Sequence, residues 1–301
     1  MDNISVCVCT YKRPQLLDNL LRNLLTLNTE GLFEYSIIVV DNDLEESAKE
    51  IVSFYRNNKK IKIEYFVEKT KNISLARNKA IEKSSGNLVA FIDDDEYPDE
   101  RWLLELVKTY NRFSCVGVSG PVFPVFQGNP PEWFKKIKYY NFGRDKKTGL
   151  VIKDSFHTGS ALISKEIFYS KGNYFDPFFG ITGGEDTDFF LRMRKNGYNF
   201  IWCAEAKVYA FFPFDRCRIS WLLKRFLRCG GVYLIIERKG LSYLRKIALI
   251  MHHLFYLFAY LFILPLVSFK GKDIFINYLS NIFFEIGFFL ANFGYVKSGY
   301  R

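Results

Sequence analysis

Four consecutive acids, Asp93 to Glu96, follow the apolar run "NLVAFI" at residues 87–92. Adjacent carboxylates repel one another, so a bound cation would explain why the cluster is tolerated. Hard divalent ions such as Mg²⁺ and Mn²⁺ take carboxylate oxygens and commonly share their other positions with substrate phosphates. Residues two apart in an extended segment point the same way, so Asp93 and Asp95 are candidate ligands of one ion. The alternative is a solvated acidic turn completed by Pro98.

A second acidic group, Glu185, Asp186 and Asp188, begins a predicted helix directly after two glycines, in the stretch "GGEDTD". Acidic residues are favoured in a first helical turn because they complement the helix dipole, which is the structural explanation. The glycines, Gly184 among them, also leave room for a ligand to approach the backbone. The two acidic groups together offer what a transferase needs, namely metal ligands and a base for an acceptor hydroxyl.

Alternating strands and helices lead to these acids. The first third of the chain predicts strands at 4–9, 35–40, 61–67 and 87–92, and helices at 14–27, 45–58 and 73–84. Such short units imply an α/β fold with a mostly parallel sheet and helices on both faces. Further strands are predicted at 115–123 and 160–164, and a helix at 182–197.

Polar residues follow three of the first four strands. They are Thr10 to Arg13 after the first, Asp41 to Asp43 after the second, and the four acids after the fourth. Ligands of open α/β sheets bind beyond the carboxyl ends of strands. We therefore expect a binding site at this edge of the sheet.

The composition is that of a folded chain of 301 residues, with 49% hydrophobic and 18% aromatic residues. Its six cysteines form no CxxC pair and show no disulfide or zinc spacing. The N-terminus lacks the charged and apolar regions of a signal peptide, so a reducing cytosolic location is the default expectation. The formal net charge of +10 suggests an anionic partner, such as nucleic acid, a membrane surface or a phosphorylated substrate.

Most of the positive charge lies just before an apolar tail. Residues 213–246 carry nine basic and two acidic side chains, and residues 247–269 contain no Asp, Glu, Lys or Arg. An uncharged apolar run of this length is a membrane-helix candidate, and neighbouring basic residues suit anionic lipid. A second apolar segment, 274–296, has a polar stripe, as helices that pair or lie in the interface do. The alternative is a buried pair of helices in a soluble protein.

Six stretches, spread in order over residues 4–230, carry a resemblance to a known family. They are "SVCVCTYKRPQLL", "IIVVDND", "NISLARNKAI", "GNLVAFIDDDEYPDERWL", "TGGEDTDFFLRMRKNGY" and "RISWLLKRFLRCG". The sequence resembles the family-2 glycosyltransferases with a GT-A fold. It looks closest to bacterial succinoglycan, exopolysaccharide and lipopolysaccharide glucosyltransferases.

The resemblance implies roles for individual residues. The implied donor-binding residues are Thr10, Tyr11, Arg13, Asp41 (on the uracil ring), Arg77, Asp93 and Asp94. The implied metal ligands are Asp95 and Asp93, which match the family's DxD element and would hold Mg²⁺ or Mn²⁺. Asp186 matches the catalytic base and Glu185 is its partner. The implied acceptor-side residues are Gly184, Trp221 and Arg225.

The resemblance also implies a reaction. The expected enzyme inverts the sugar's configuration while moving it from a nucleotide sugar, UDP-hexose being favoured, to a lipid-linked saccharide in bacterial surface polysaccharide biosynthesis. The acceptor would be carried on a polyprenyl diphosphate at the cytoplasmic face of the inner membrane, with membrane lipid and no nucleic acid as further partner. The expected domains are 1–212 (donor half 1–112, acceptor half 113–212), a basic segment 213–246, and a membrane-associated helix pair 247–301.

Two other classes of protein share some of these features. A metal-dependent phosphohydrolase or nuclease would also use clustered acids and a basic surface. A non-catalytic nucleotide-binding membrane scaffold would keep the sheet without needing the second acidic group. A nuclease is disfavoured because its basic residues should alternate with stacking aromatics along one groove, whereas here they precede an apolar tail.

Overall fold

The computed structural model describes residues 2–57, 60–137, 146–153, 156–170 and 172–296. The chain forms two compact units. The first comprises Met1–Val125, Phe142–Ile181 and Glu185–Phe211, and the second comprises Phe126–Asn141, Thr182–Gly184 and Phe212–Arg301. The domain boundaries expected from the sequence stay a prediction.

The first unit is built on a seven-stranded sheet. In chain order its strands are β1 (Asp2–Thr10), β2 (Phe33–Asp41), β3 (Ile63–Val67), β4 (Leu88–Asp93), β6 (Gly117–Ser119), β8 (Ala161–Ser164) and β9 (Phe200–Trp202). Their spatial order is β3-β2-β1-β4-β8-β6-β9. Neighbours among β1 to β4 are parallel, as are β6 and β9, whereas β8 runs antiparallel to β4 and β6. The predicted mostly parallel sheet is confirmed.

Helices cover both faces of this sheet, as predicted. They are α1 (Pro14–Leu24), α2 (Lys49–Arg56), α3 (Ile73–Lys83), α4 (Trp102–Arg112), α6 (Glu166–Tyr169) and α8 (Glu185–Lys195). Val6 and Val8 of β1 pack with leucines of α1 and α4 in one core cluster, whereas Cys7 packs with residues of α3 and α8 in the other. Successive strand side chains point to opposite faces, so an unbroken apolar strand fills both cores.

The stretch 115–123, predicted as one strand, is two strands of different sheets. β6 ends at Ser119, and after Gly120 and Pro121 the chain enters β7 (Val122–Phe126). β7 belongs to a three-stranded sheet of order β5-β10-β7, where β5 is Glu96–Pro98 and β10 is Val208–Phe212. Pro121 lacks the N–H that continued pairing would require, so the chain leaves the first sheet here.

The second unit contains the C-terminal helices. They are α9 (Ile219–Arg238), α10 (Tyr243–Val267) and α11 (Lys272–Asn292), with the short α5 (Glu132–Lys135) beside them; α7 (Phe179–Thr182) ends at the edge of this unit. Both α10, of 25 residues, and α11, of 21, are long and apolar enough to cross a membrane. The side chain of Phe262 on α10 is 80% exposed, and most of its neighbours are exposed too. This exposure argues against the buried pair of a soluble protein, so the two helices are candidate membrane spans.

Polar side chains of α10 and α11 contact each other. His253 Nδ1 lies 2.7 Å from Glu285 Oε2, and both side chains are buried. The rings of Tyr260 and Tyr278 are 5.9 Å apart. Polar groups in an apolar helix pair are stabilised by bonding one another, so these contacts indicate pairing, one of the two arrangements that the sequence left open.

Two glycines let α9 and α11 approach each other closely. A Cβ atom on Gly230 would lie 1.8 Å from the carbonyl oxygen of Phe284, and one on Gly287 would lie 1.8 Å from that of Leu227. No side chain fits at such a distance, so the backbones touch directly at this crossing. Small residues at helix crossings of this kind are typical of membrane helices.

Gly230→Ala should separate α9 from α11 and lower the melting temperature of the detergent-solubilised protein by several degrees. Gly231→Ala is the matched control, because the nearest heavy atom to its new Cβ is 3.4 Å away and alanine favours the helix. Thermal unfolding followed by circular dichroism measures both. Equal melting temperatures for the two variants would contradict the close crossing.

Candidate active site

The four acids Asp93 to Glu96, here called the acid turn, connect β4 to β5. They lie at the carboxyl edge of the sheet, where Asp93 is paired in register with Cys9 of β1. Their surroundings differ. The side chain of Asp93 is 45% exposed and that of Asp95 24%, whereas Asp94 and Glu96 are buried. The turn therefore presents two carboxylates outward and holds two inside.

Two residues from the end of β1 hold the buried Asp94. Thr10 Oγ1 donates to Asp94 Oδ2 at 2.8 Å, and Arg13 Nη1 donates to Asp94 Oδ1 at 3.0 Å and to Asp95 Oδ2 at 3.1 Å. Burial raises the pKa of Asp94 to about 7, although Arg13 acts to lower it. Thr10 and Arg13, both predicted as donor-binding residues, support the acid turn in this structure.

Glu96 supports the turn from inside the fold. Its Oε2 accepts the backbone N–H of Asp93 at 3.0 Å. Burial, and then the charges of Asp93 and Asp95, raise the pKa of Glu96 well above its ordinary value. A protonated Glu96 carries no charge, which reduces the repulsion within the turn. Sequence reasoning missed this role, because nothing in the acidic run distinguishes Glu96 from its neighbours.

The outward pair, Asp93 and Asp95, has the chemistry of a partial metal site. Among the residues that the structure describes, no group of three or more His, Cys, Asp or Glu side chains could hold an ion by itself. Mg²⁺ and Mn²⁺ are commonly bound by one or two carboxylates, with substrate phosphates and water as the other ligands. Two partly exposed carboxylates at a strand end fit such an ion.

Arg77 of α3 joins the acid turn to the second acidic group. Its Nη2 donates to Asp93 Oδ1 at 3.1 Å and its Nη1 donates to Glu185 Oε1, although Arg77 and Glu185 are 108 residues apart. The Arg77 side chain is buried. Burial acts to lower the pKa of Arg77, but Glu185 and Asp93 outweigh it and raise that pKa. The two acidic groups predicted separately are thus one ion network.

Glu185 and Asp186, here called the ED pair, begin α8. The two glycines before them have φ angles of +82° and +91°, so the chain turns sharply into the helix; the predicted helix at 182–197 is shorter, Glu185–Lys195. Asp186 Oδ1 accepts the N–H of Thr187 at 2.7 Å. Burial raises the pKa of both members of the pair, with Arg77 acting in the opposite direction.

Asp188, the third acid of the predicted group, has a structural contact. Its Oδ2 accepts from Arg192 Nε at 2.8 Å, and Asp188 is buried. Arg192 also donates to the carbonyl oxygens of Gly172 and Tyr174. Asp188 therefore helps to hold the segment that precedes the ED pair.

Asp41 holds the loop after β2. Its Oδ2 accepts the N–H of Ala48 at 2.8 Å and the hydroxyl of Tyr65 at 3.0 Å, and its Oδ1 accepts the N–H of Asp43. Asp41 is fully buried, so in this structure its carboxylate stabilises the loop, and its contact with a uracil ring stays a prediction.

Tyr11, predicted to line the nucleotide pocket, has a cationic neighbour that sequence reasoning missed. The ammonium of Lys71 lies 4.4 Å from the centre of the Tyr11 ring, a cation–π distance. Lys71 stands between a strand and α3, with no pattern in the sequence linking it to Tyr11. The predicted role of Tyr11 in the nucleotide pocket stays a prediction.

The three acceptor-side residues lie in the second unit. A Cβ on Gly184 would lie 2.3 Å from a methyl group of Val232, and the Trp221 ring packs edge-on against Phe212 with centres 5.7 Å apart. The guanidinium carbon of Arg225 is 5.5 Å from the centre of the Trp221 ring. These contacts are internal to the second unit, and the acceptor roles stay predictions.

Comparison with known proteins decides the family. The model described as "Glycosyl transferase family 2" matches residues 5–170, which include the acid turn and Arg77. The chain is a family-2 glycosyltransferase. A second model, "Glycosyl transferase family group 2", matches residues 88–291.

Two curated relatives give this family membership more detail. The succinoglycan biosynthesis protein ExoM of Rhizobium meliloti is 33% identical over 253 residues, 82% of this chain and 80% of ExoM. A glucosyl-dolichyl phosphate glucuronosyltransferase of Haloferax volcanii is 30% identical over 57% of this chain and 55% of its own length. The chain therefore belongs with glycosyltransferases of polysaccharide biosynthesis.

Two solved structures share the fold. TarS 1-349 of S. aureus, in complex with UDP-GlcNAc, has a TM-score of 0.59 at 18% identity, covering 81% of this chain and 69% of TarS. GalNAc-T7 with UDP, GalNAc and Mn²⁺ has a TM-score of 0.57 at 13% identity, covering 81% and 52%. At these identities the likeness shows the fold, which is the GT-A fold that the sequence resemblance implied.

Arg77→Met should destabilise the protein more at pH 8 than at pH 5.5. Without the guanidinium, buried Glu185 loses its partner and its pKa rises further above the unfolded value, so the folded state loses stability as pH rises. Denaturation at the two pH values measures this difference. Arg101→Met is the control, since Arg101 pairs with Glu30 and Glu105 at the surface and its loss should change the stability little at either pH. An equal loss for Arg77→Met at both pH values would contradict the pairing.

Proposed function

We propose that the chain transfers a hexose from a UDP-sugar to a hydroxyl group of a lipid-linked saccharide, inverting the configuration of the anomeric carbon. The observation that carries the proposal is the ion network in which Arg77 contacts both the acid turn and the ED pair. One end of the network suits a metal-bound diphosphate and the other end offers a base. A sugar transfer needs these two groups next to each other.

Solved structures that share the fold support a nucleotide-sugar donor. TarS was solved with UDP-GlcNAc, and GalNAc-T7 with UDP and Mn²⁺. In this chain, Asp93 and Asp95 are partly exposed at the carboxyl edge of the sheet. These carboxylates suit a divalent ion shared with a diphosphate.

In the proposed reaction, Asp93 and Asp95 would hold Mg²⁺ or Mn²⁺, which stabilises the charge that develops on the departing UDP. Asp186 accepts the proton of the acceptor hydroxyl group. The oxygen of that hydroxyl group forms a bond to the anomeric carbon from the face opposite the leaving group. The bond from that carbon to the diphosphate oxygen breaks in the same step, so the configuration inverts. Arg77 acts to lower the pKa of Glu185 and holds Glu185 beside the base.

A lipid-linked acceptor and a membrane location are supported by the second unit and by the relatives. ExoM is named for succinoglycan biosynthesis, and the Haloferax enzyme for a glucosyl-dolichyl phosphate. The basic segment 213–246 adds attraction to anionic headgroups beside α10. We propose a polyprenyl diphosphate saccharide acceptor at the cytoplasmic face of the inner membrane, in bacterial surface polysaccharide synthesis.

Asp186→Asn should lower turnover by at least about a hundredfold while UDP affinity is kept, because a general base typically contributes 10² to 10⁴-fold. Since burial raises the pKa of Asp186, the wild-type rate should fall on acidification at a higher pH than an ordinary aspartate would cause. Steady-state rates against pH measure both effects. Near-normal turnover by the variant would contradict the assignment of Asp186 as the base.

UDP should bind much more tightly with Mg²⁺ or Mn²⁺ than in EDTA, and Asp95→Ala should remove that difference. The reason is that Asp95 would hold the ion that bridges to the diphosphate. Isothermal titration calorimetry measures the affinities. Asp99→Ala, four residues further on, is the control and should keep the metal effect. Equal UDP binding with and without metal in the wild type would contradict the metal assignment.

The full-length protein should stay with membranes in high salt and need detergent for release, because inserted apolar side chains are not screened by salt. Aspartate at three exposed positions of α10, Phe255, Phe258 and Phe262, should make the protein extractable by salt. Phe54→Asp is the control, since Phe54 is an equally exposed phenylalanine of the first unit. Fractionation followed by immunoblotting measures release. A wild-type protein that salt alone removes would contradict the membrane location.

A further inference from the structure

The segment of residues 173–181, here called the base loop, leads toward the ED pair and is held against α3. Asn78 of α3 makes two hydrogen bonds with one residue of the loop. Its Nδ2 donates to the carbonyl oxygen of Phe175 at 2.8 Å, and its Oδ1 accepts the N–H of Phe175 at 3.0 Å. The amide of Asn78 thus replaces the backbone partner that Phe175 would have in a strand.

Asn72, the N-cap residue of α3, holds the base loop at a second point. Its Nδ2 donates to the carbonyl oxygen of Pro177 at 2.9 Å, while its Oδ1 accepts the N–H of Leu75 and caps the helix. A Cβ on Gly180 would lie 1.7 Å from Asn72 Oδ1. The loop therefore lies directly on the Asn72 side chain at this point.

The same asparagine is tied to the loop after β2. The backbone N–H of Asn72 donates to Asn42 Oδ1 at 2.8 Å, and Asn42 Nδ2 donates to the carbonyl oxygens of Glu68 and Thr70. Asn42 follows Asp41 at the carboxyl edge of the sheet. A continuous series of amide hydrogen bonds thus runs from the sheet edge, through Asn72, to the base loop.

Helix α3 consequently contacts both halves of the proposed reaction centre. Arg77 bonds Asp93 of the acid turn and Glu185 of the ED pair, and the two asparagines on either side of it in the sequence bond the base loop. The N-cap of α3 and two side chains of the helix are thus bonded to the acid turn, the ED pair and the segment before the base. A displacement of about 1 Å at a catalytic group can cost about a hundredfold in rate.

We propose that Asn72 and Asn78 are positioning residues that set the place of Asp186 relative to the acid turn by holding the base loop on α3. This inference rests on the proposed function, in which Asp186 is the base. The bonds go to backbone atoms of the loop, so they fix its path. The beginning of the loop stays attached without them, because Arg192 donates to the carbonyl oxygen of Tyr174.

Two uncharged substitutions remove these contacts while keeping α3 stable. Asn72→Ser keeps a good N-cap but is too short to reach Pro177, and Asn78→Ala removes both bonds to Phe175 while favouring the helix. Each should lower kcat by about 10- to 100-fold with KM for the UDP-sugar and UDP affinity unchanged within about twofold. Asn23→Ala is the control, because the Asn23 amide donates to the carbonyl oxygen of Asn19 within the same helix, α1.

The deciding measurement repeats both substitutions in the Asp186→Asn background. A residue that acts through Asp186 should cause no further loss once the base is gone, whereas a merely structural residue lowers the rate by the same factor in both backgrounds. Equal factors, or an unchanged kcat in the single variants, would overturn the inference. If the Asn72 variant fails to fold, Gly180→Ala disturbs the contact of Asn72 with the base loop from the loop side and is tested in the same way. Normal turnover by Asp186→Asn alone overturns the proposed function, while an inactive Asp186→Asn with fully active asparagine variants overturns only this inference.

Discussion

The first unit depends on holding several like charges close together in a partly buried site. Ion pairs join six acidic or basic side chains of the acid turn, the ED pair and their cationic partners, and several of the six are buried. An unpaired buried charge costs several kcal/mol. Arg13 and Arg77 supply opposite charge, and burial favours the neutral form of Glu96. Within the acid turn, Asp93 and Asp95 keep the most exposure, so their carboxylates are the ones that face outward.

The second unit is subject to a different constraint, because polar groups on apolar helices need hydrogen-bond partners. The close crossing of α9 and α11 at Gly230 and Gly287 buries backbone against backbone, and the His253–Glu285 contact pairs α10 with α11. What remains on α10 is an exposed aromatic surface. Such a surface is unfavourable in water and stable in lipid, which is why the unit fits a membrane enzyme better than a soluble one.

Much of the architecture could be predicted from the sequence because the patterns that indicate it are local. Short apolar runs alternating with helical periods gave the parallel sheet, and polar residues at strand ends gave the place of the site. The helix at 182–197 was predicted too long, since Gly183 and Gly184 adopt positive φ, and the strand at 115–123 was divided by Pro121. Both differences come from one or two residues whose backbone conformation outweighs the surrounding pattern.

What could not be predicted depends on contacts between distant residues. The sequence marks Arg77 as a family position, but the bond to Glu185, 108 residues away, exists only once α3 and α8 pack on the same face of the sheet. Asn72 looks like an ordinary N-cap, and its second bond to Pro177 arises from the folded path of the base loop. Glu96 resembles its acidic neighbours until β5 pairs with β10 and turns it inward.

We propose that the acid turn holds a metal-bound nucleoside diphosphate while Arg77 keeps the base beside it. A crystal structure of the protein with UDP and Mn²⁺, with anomalous scattering used to locate the manganese, tests it most directly. We expect one manganese peak bonded to a carboxylate oxygen of Asp95 and to diphosphate oxygens, with Arg77 still contacting Glu185. UDP bound with its manganese away from Asp93 and Asp95, or bound to the second unit, would contradict this proposal.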